Sequence, residues 1–204
     1  MGSATSKIAS KKALAHFAAG PISLIFAFIG NLFVNIIRGK PALEVSAAAI
    51  ITGGIALFII NMLIAAFYTV PSAVTEKCNS EVPIGKRFLY GLWPAFFSAI
   101  GDPNIVAMIT YATPLIILAP VITALMPPGP LTIGSLMLAK TYLSDVPVIG
   151  TIINFFPLTS LFEQITGSWI FLIVMFLLGF NFWSWIGGAI AATQAINNNC
   201  PTTP

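Results

Sequence analysis

The chain has 204 residues, of which 57% are hydrophobic and 7% are charged, and its formal net charge is +3. A typical soluble domain is roughly 25% charged, so this chain has too few polar residues to cover a water-soluble globule. Composition predicts an all-α integral membrane protein whose solvent is a lipid bilayer. The basic residues lie near helix ends, which argues against a nucleic-acid partner.

The first six residues match the pattern for N-myristoylation, with Gly2 as the lipid attachment site and Ser6 at the required position. The alternative is a chance match. Residues 1–43 contain no acidic side chain but several basic ones: Lys7, Lys11, Lys12, Arg38 and Lys40. This charge bias is typical of a mitochondrial targeting segment or a signal-anchor.

Hydropathy and helix breakers predict a single membrane domain over residues 1–204, a multi-span helical bundle with broken and re-entrant or interfacial helices. A span needs about 20 apolar residues, and such stretches cover residues 13–37, 45–70, 103–126 and 161–192. Residues 88–100 and 131–156 are predicted to be interfacial or re-entrant, with a bent span over 131–156 as the alternative. Residues 72–87 form a polar loop. The number of spans is therefore between four and six.

The stretch from Phe88 to Met126 contains one charge, Asp102, at a predicted helix break. Gly101 suits the end of one helix, and Asp102 followed by Pro103 suits the start of another. An ionisable group inside hydrocarbon is a functional hypothesis by default. Asp102 is therefore interpreted as a helix cap or, alternatively, as an intramembrane polar site.

Asparagines occur inside three of the predicted spans. Asn61 lies near the middle of the second span, and Asn181 lies in the last one. Together with Asp102 they are the candidates for a polar path through the membrane. Asn31 and Asn35 are four residues apart, so they share one helix face. That face is predicted to pack on a neighbouring helix, with a pore-lining strip as the alternative.

Small residues recur every four positions in two spans, as Ala48, Thr52 and Ala56, and as Ser184, Gly188 and Ala192. Such stripes let helix backbones approach closely. They predict helix faces that contact other membrane proteins.

The chain has one histidine, His16, and two cysteines, Cys78 and Cys200. One histidine cannot form the histidine-rich metal sites of membrane oxygenases, and no Cys/His cluster for zinc is present. No metal or cofactor is therefore predicted. The two cysteines can form a bridge if they lie on one side of the membrane, with free or palmitoylated thiols as the alternative.

Basic residues predict the orientation of the chain. With the N-terminus on the cytoplasmic or equivalent inner side, six of them lie inside: Lys7, Lys11, Lys12, Lys77, Lys86 and Arg87. Arg38 and Lys40 then lie outside, as the positive-inside rule prefers.

The residues of this chain form none of the familiar intramembrane catalytic motifs. Ala99-Ile100-Gly101-Asp102 lacks the first glycine of the aspartyl protease motif, and Gly167-Ser168-Trp169 has no histidine partner in a later span. The sequence predicts a protein that is not an enzyme. The leading hypothesis is a structural, scaffold or accessory subunit of a larger membrane assembly, in an organelle or in the internal membrane of a virion. The alternative is a small channel or transporter with a polar path near Asp102.

Overall fold

The structure is a computed structural model that describes residues 2–101, 129–143, 145–148, 151 and 168–201. The regular elements in these ranges are all helical. Eight α-helices are joined in places by a 3₁₀ turn (Leu14–Ala18) and by two π-helical segments (Ala65–Thr69 and Met175–Gly179). The α-helices are α1 Gly2–Ala13, α2 Ala19–Ile37, α3 Ala47–Ile64, α4 Val70–Cys78, α5 Ile84–Ala99, α6 Pro130–Leu143, α7 Trp169–Val174 and α8 Phe180–Asn199.

Three continuous helices are long and apolar enough to cross a membrane: Ala4–Ile37, Ala47–Cys78 and Trp169–Asn199. We refer to them as the first, second and last long helices. They confirm the predicted class, an all-helical membrane protein with bent helices. The predicted span 103–126, with Asp102 beside it, lies outside the described residues, as do residues 161–167 of the last predicted span.

The second long helix continues past Pro71, where the sequence predicts its end. The polar loop predicted for residues 72–87 is wrong over most of its length, because α4 extends to Cys78 and α5 begins at Ile84. The preceding π-helical segment explains the difference. In that segment the Val70 N–H bonds to the Ala65 carbonyl five residues back. The wider turn accommodates a proline that has no N–H to donate.

The helices α5 and α6 together form a broken helix along α3. Gly91 of α5 lies against Met62, and Leu131 of α6 lies against Gly54, so α6 continues along α3 from the level where α5 ends. At about 1.5 Å per residue the two helices measure roughly 24 and 21 Å. Both helices therefore pack against a long helix, and the interfacial or re-entrant position of residues 88–100 and 131–156 stays a prediction.

Both sides of the break are closed by hydrogen bonds. The Ile100 carbonyl accepts from the Gly129 N–H at 3.2 Å and from the Thr132 hydroxyl at 2.9 Å. Gly101 has a φ of 73° and donates its N–H to the Phe96 carbonyl at 3.1 Å. A positive φ favours glycine, so the predicted end of the helix at Gly101 is confirmed.

A disulfide and an ion pair define one end of the bundle, which we call the disulfide end. Cys78 and Cys200 are bonded, with 5.7 Å between their Cα atoms, so the alternative of free or palmitoylated thiols is wrong for this structure. Lys12 Nζ lies 2.7 Å from Glu76 Oε2, which brings α1 to the same end. The six basic residues that the sequence groups on one side all lie on α1, on α4 or in the first turn of α5, at this end.

Small residues of the predicted stripes pack inside the bundle, and their predicted use as contact faces for other proteins stays a prediction. A Cβ on Gly53 would meet Ala27 and Phe176, and a Cβ on Gly30 would overlap Thr52. The stripe that contains Gly188 faces α1 in the same way, since Ala192 is fully buried. The close approach of helix backbones that these residues permit therefore builds the fold of a single chain.

The bridge between α4 and the end of α8 generates a prediction about stability. Replacing Cys200 by Ser should destabilise the bundle by about 2–4 kcal/mol, because the bridge closes a long loop in the unfolded chain. The thermal midpoint in detergent should fall accordingly, and the oxidised protein should migrate faster without reductant in gel electrophoresis. Cys78→Ser and the double variant should match Cys200→Ser, since each removes the same bond. Additive losses in the double variant would contradict this account.

Candidate functional site

Five buried polar side chains meet where the helices cross. They are His16 on the 3₁₀ turn, Asn61 on α3, Thr69 at the end of the π-helical segment, Ser98 on α5 and Ser184 on α8; all five have 0% exposure. We call them the His16 network. Polar groups without water must be satisfied by one another, so this set is the strongest candidate for a functional or structural centre.

Asn61 is the central member of the His16 network. Its Oδ1 accepts from His16 Nδ1 at 2.7 Å. Its Nδ2 donates to Ser98 Oγ at 3.0 Å and to Ser184 Oγ at 2.9 Å, and the Leu57 carbonyl lies 3.0 Å from the same atom. One amide therefore holds together elements from the first, second, broken and last helices.

The hydrogen bonds of the network run in one consistent direction. The Thr69 hydroxyl lies 3.1 Å from His16 Nε2, so a neutral imidazole with its proton on Nδ1 accepts from Thr69 and donates to Asn61. Ser98 and Ser184 in turn donate to the carbonyls of Pro94 and Phe180, at 2.6 and 2.9 Å. Each donor finds an acceptor, and no charge needs to enter the bundle.

Irregular backbone places two members of this network. His16 lies on a 3₁₀ turn between α1 and α2, and Thr69 closes a π-helical segment. Such irregularities shift the direction in which side chains point relative to a continuous α-helix. Gly188 of α8 gives the imidazole its space, because a Cβ there would overlap the His16 ring.

Asn181 forms a second, separate contact. Its Nδ2 donates to the Phe17 carbonyl at 3.0 Å and to the Leu177 carbonyl at 3.2 Å. Its buried Oδ1 has no hydrogen-bond partner among the described residues. Gly20 faces this amide, since a Cβ on Gly20 would overlap Asn181 and the Phe176 carbonyl. Asn181 thus approaches the residue next to His16 but is not bonded to Asn61.

Asn31 and Asn35 are fully buried on the face of α2 that packs against α3. Their amides bind the loop between these helices: the Asn31 Nδ2 donates to the Glu44 carbonyl at 3.0 Å, and the Asn35 Nδ2 donates to the Pro41 carbonyl at 3.0 Å. Ser46, the residue before α3, donates its N–H to Asn31 Oδ1 at 3.0 Å. The predicted packing of this face is therefore confirmed, and the pore-lining alternative is wrong, because neither side chain is exposed.

The predicted site residues therefore have different outcomes. Asn61 and Asn181 are buried but belong to separate contacts, Gly2 begins α1, and Asp102 lies outside the described residues. Sequence reasoning missed His16, Thr69, Ser98 and Ser184 as partners of Asn61. The one available signal was a lone histidine within an apolar stretch, since a polar ring buried there requires partners.

The chemistry available to the His16 network is limited by its seclusion from solvent. Within the described ranges, no group of three or more His, Cys, Asp or Glu side chains could hold a metal ion. Each hydroxyl and amide of the network is engaged in hydrogen bonds to protein atoms. The arrangement fixes four helical elements relative to one another.

Comparison with known protein families, with curated proteins and with solved structures gives no match. The functional argument therefore rests on the geometry of this chain.

The central amide of the network gives the second prediction. Replacing Asn61 by Leu keeps the branched shape of the side chain but leaves the imidazole N–H without its acceptor, so the bundle should lose about 1–3 kcal/mol. Unfolding by SDS titration, followed by circular dichroism, would measure this loss. Asn198→Leu is the matched control, because Asn198 is exposed and its side chain bonds, among the described residues, only to the Tyr90 hydroxyl at 3.2 Å. Equal stability of the two variants would contradict the structural role that we assign to the His16 network.

Proposed function

We propose that this chain is a non-catalytic multi-pass membrane protein that acts as a structural, scaffold or accessory subunit of a larger membrane assembly. The observation that carries the proposal is the internal use of its buried polar groups. Asn61, the best candidate for a transport or catalytic site in the described part, has 0% exposure and bonds to three other elements of its own fold. A pore or an active site would instead expose such groups to water or substrate.

The outer surface supports the same proposal. The helix α2 leaves large apolar side chains uncovered, including Ile25 at 59%, Phe33 at 66% and Ile37 at 69% exposure. Lipid tails or apolar helices of partners are the surroundings that suit this face. Because the small-residue stripes are used within the bundle, α2 is the described surface that we assign to partner contacts.

The membrane and its sidedness belong to the proposal as well. Six basic residues at the disulfide end favour the cytoplasmic or equivalent inner side for this end. Disulfides form in oxidising compartments, so the bridge at the same end requires that this side meets an oxidising space. A virion that leaves the cell carries its inner membrane face out of the reducing cytosol. The virion setting is therefore compatible with both signals, and lipidation at Gly2 would fit it too.

A small channel or transporter is the second candidate function, and one observation favours it. The helix formed by α5 and α6 is interrupted at Gly101, the residue before Asp102, and resumes at Pro130. Broken helices with a polar residue at the break are how many transporters hold an ion. Against this role, the Ile100 carbonyl at the break already accepts two hydrogen bonds.

The structural proposal predicts a stable hetero-assembly. Native mass spectrometry of the chain, extracted gently from its own membrane, should show it bound to other membrane proteins in fixed stoichiometry. The presence of the Cys78–Cys200 bridge in the released chain, read from its intact mass without reductant, is the control for the integrity of the fold in the same sample. If the chain emerges alone or as a small symmetric oligomer, the structural proposal fails.

The channel alternative predicts a specific effect at one residue. Asp102→Asn keeps the capping ability of the side chain but removes its charge. If the chain conducts, reconstituted wild-type protein should carry ions across liposomes and the variant should lose that flux at unchanged stability. The structural proposal predicts that neither protein exceeds the leak of empty liposomes, measured with a fluorescent ion indicator. The Lys77→Gln variant controls for the loss of one charge at a site outside the break.

A further inference from the structure

An open groove of about 400 Å³ lies between α1 and α8 near the disulfide end. One wall carries Ser6 and Ser10 of α1. The other wall is formed by α8, and its lining residues are Trp185, Ile186, Ala189, Ile190, Thr193 and Gln194. The groove is a feature distinct from the His16 network, since it shares no residue with that network.

The groove is polar toward the disulfide end and apolar toward the middle of the bundle. Thr193 and Gln194 lie within two turns of the end of α8, whereas Trp185 and Ile186 lie deeper. Nine residues separate Trp185 from Gln194, which is roughly 13 Å along a helix. This length is close to half of the ~30 Å hydrocarbon thickness of a bilayer. The groove therefore matches the depth of one leaflet.

The polar side chains in the groove differ from those of the bundle interior. Ser6, Thr193 and Gln194 make no hydrogen bond through their side chains to any described residue, although they line a cleft. Trp185, in contrast, is held in place by its Nε1, which donates to the Ser10 carbonyl at 3.1 Å. A fixed apolar wall thus stands beside free hydrogen-bonding groups.

Positive charge flanks the groove. Lys7 and Lys11 follow Ser6 and Ser10 in sequence, so each stands about 100° further round the same helix. Both are exposed, and neither forms a salt bridge with a described residue. Glu76 is paired with Lys12 and also interacts electrostatically with Lys11, whereas Lys7 has no such acidic neighbour among the described residues. The groove therefore offers Lys7 as its main cation, with Lys11 as a second one, to a ligand that brings negative charge.

We propose that this groove binds one anionic phospholipid of the surrounding bilayer. The phosphate group accepts hydrogen bonds from Ser6 and Gln194 and faces Lys7, while Lys11 reaches it by extending its side chain toward the headgroup level. One acyl chain lies along Ile190, Ile186 and Trp185. Depth and the unpartnered polar groups suit a phospholipid, and the positive charge of the two lysines favours an anionic lipid over a zwitterionic one.

The test is native mass spectrometry of the full chain in detergent, with phosphatidylglycerol or phosphatidylcholine added at equal concentrations. We expect one phosphatidylglycerol retained per chain and at least tenfold less phosphatidylcholine. Each lysine near an anionic headgroup contributes roughly fivefold in affinity, so Lys7→Gln with Lys11→Gln should lower retention by tenfold or more. The matched control is Lys77→Gln with Lys86→Gln, which makes the same charge change at the same end of the bundle and should retain the lipid.

A second variant tests the groove itself without changing charge. Ala189→Trp fills the cleft, so it should abolish retention of phosphatidylglycerol while the Cys78–Cys200 bridge still forms. Four results would overturn the proposal: retention by Ala189→Trp at the wild-type level, equal loss in the control pair, equal binding of phosphatidylcholine, or a groove occupied by another protein chain.

Discussion

The contact between His16 and Asn61 is the constraint on which the bundle depends. Both side chains are fully buried, and their atoms approach to 2.7 Å. An amide and an imidazole in an apolar interior are costly without partners, so each is acceptable only while the other is in place. The Asn61 amide also donates hydrogen bonds to Ser98 and Ser184. The hydroxyls of these two serines donate in turn to backbone carbonyls. Separation of any one element would expose several unsatisfied groups together.

This dependence explains why the helices are irregular where they meet. A continuous α-helix from Gly2 to Ile37 would aim the residue at position 16 differently, and the 3₁₀ turn sets its direction. The π-helical segment does the same for Thr69 and also makes room for Pro71. Gly188 completes the arrangement by leaving space for the ring. Local departures from ideal geometry are thus stabilised by hydrogen bonds that ideal helices could not form.

Hydropathy predicts the three long helices, and Gly101 correctly marks a helix end, because both depend on local residue properties. The arrangement of the helices is harder to predict from the sequence. Lipid tails are as apolar as a helix interior, so the sequence shows no amphipathic period that distinguishes inward from outward faces. The small-residue stripes for this reason predict contacts with external partners, although Thr52 and Gly188 pack internally. The pairing of α5 with α6 brings Gly129 beside Ile100, and a contact over 29 positions is not encoded in any local pattern. The partners of Asn61 are spread over a separation of up to 123 residues.

The disulfide also sets an order for the biogenesis of the chain. Cys78 and Cys200 are separated by 122 positions, and α5, α6 and the whole last helix lie between them. The bond therefore cannot close until the last helix has been synthesised, inserted and brought beside α4. Until then the thiol of Cys78 is a reactive group awaiting its partner. A chain with this disulfide has therefore completed insertion of its last helix in the correct orientation. An incompletely inserted chain would carry two free thiols in place of the bond.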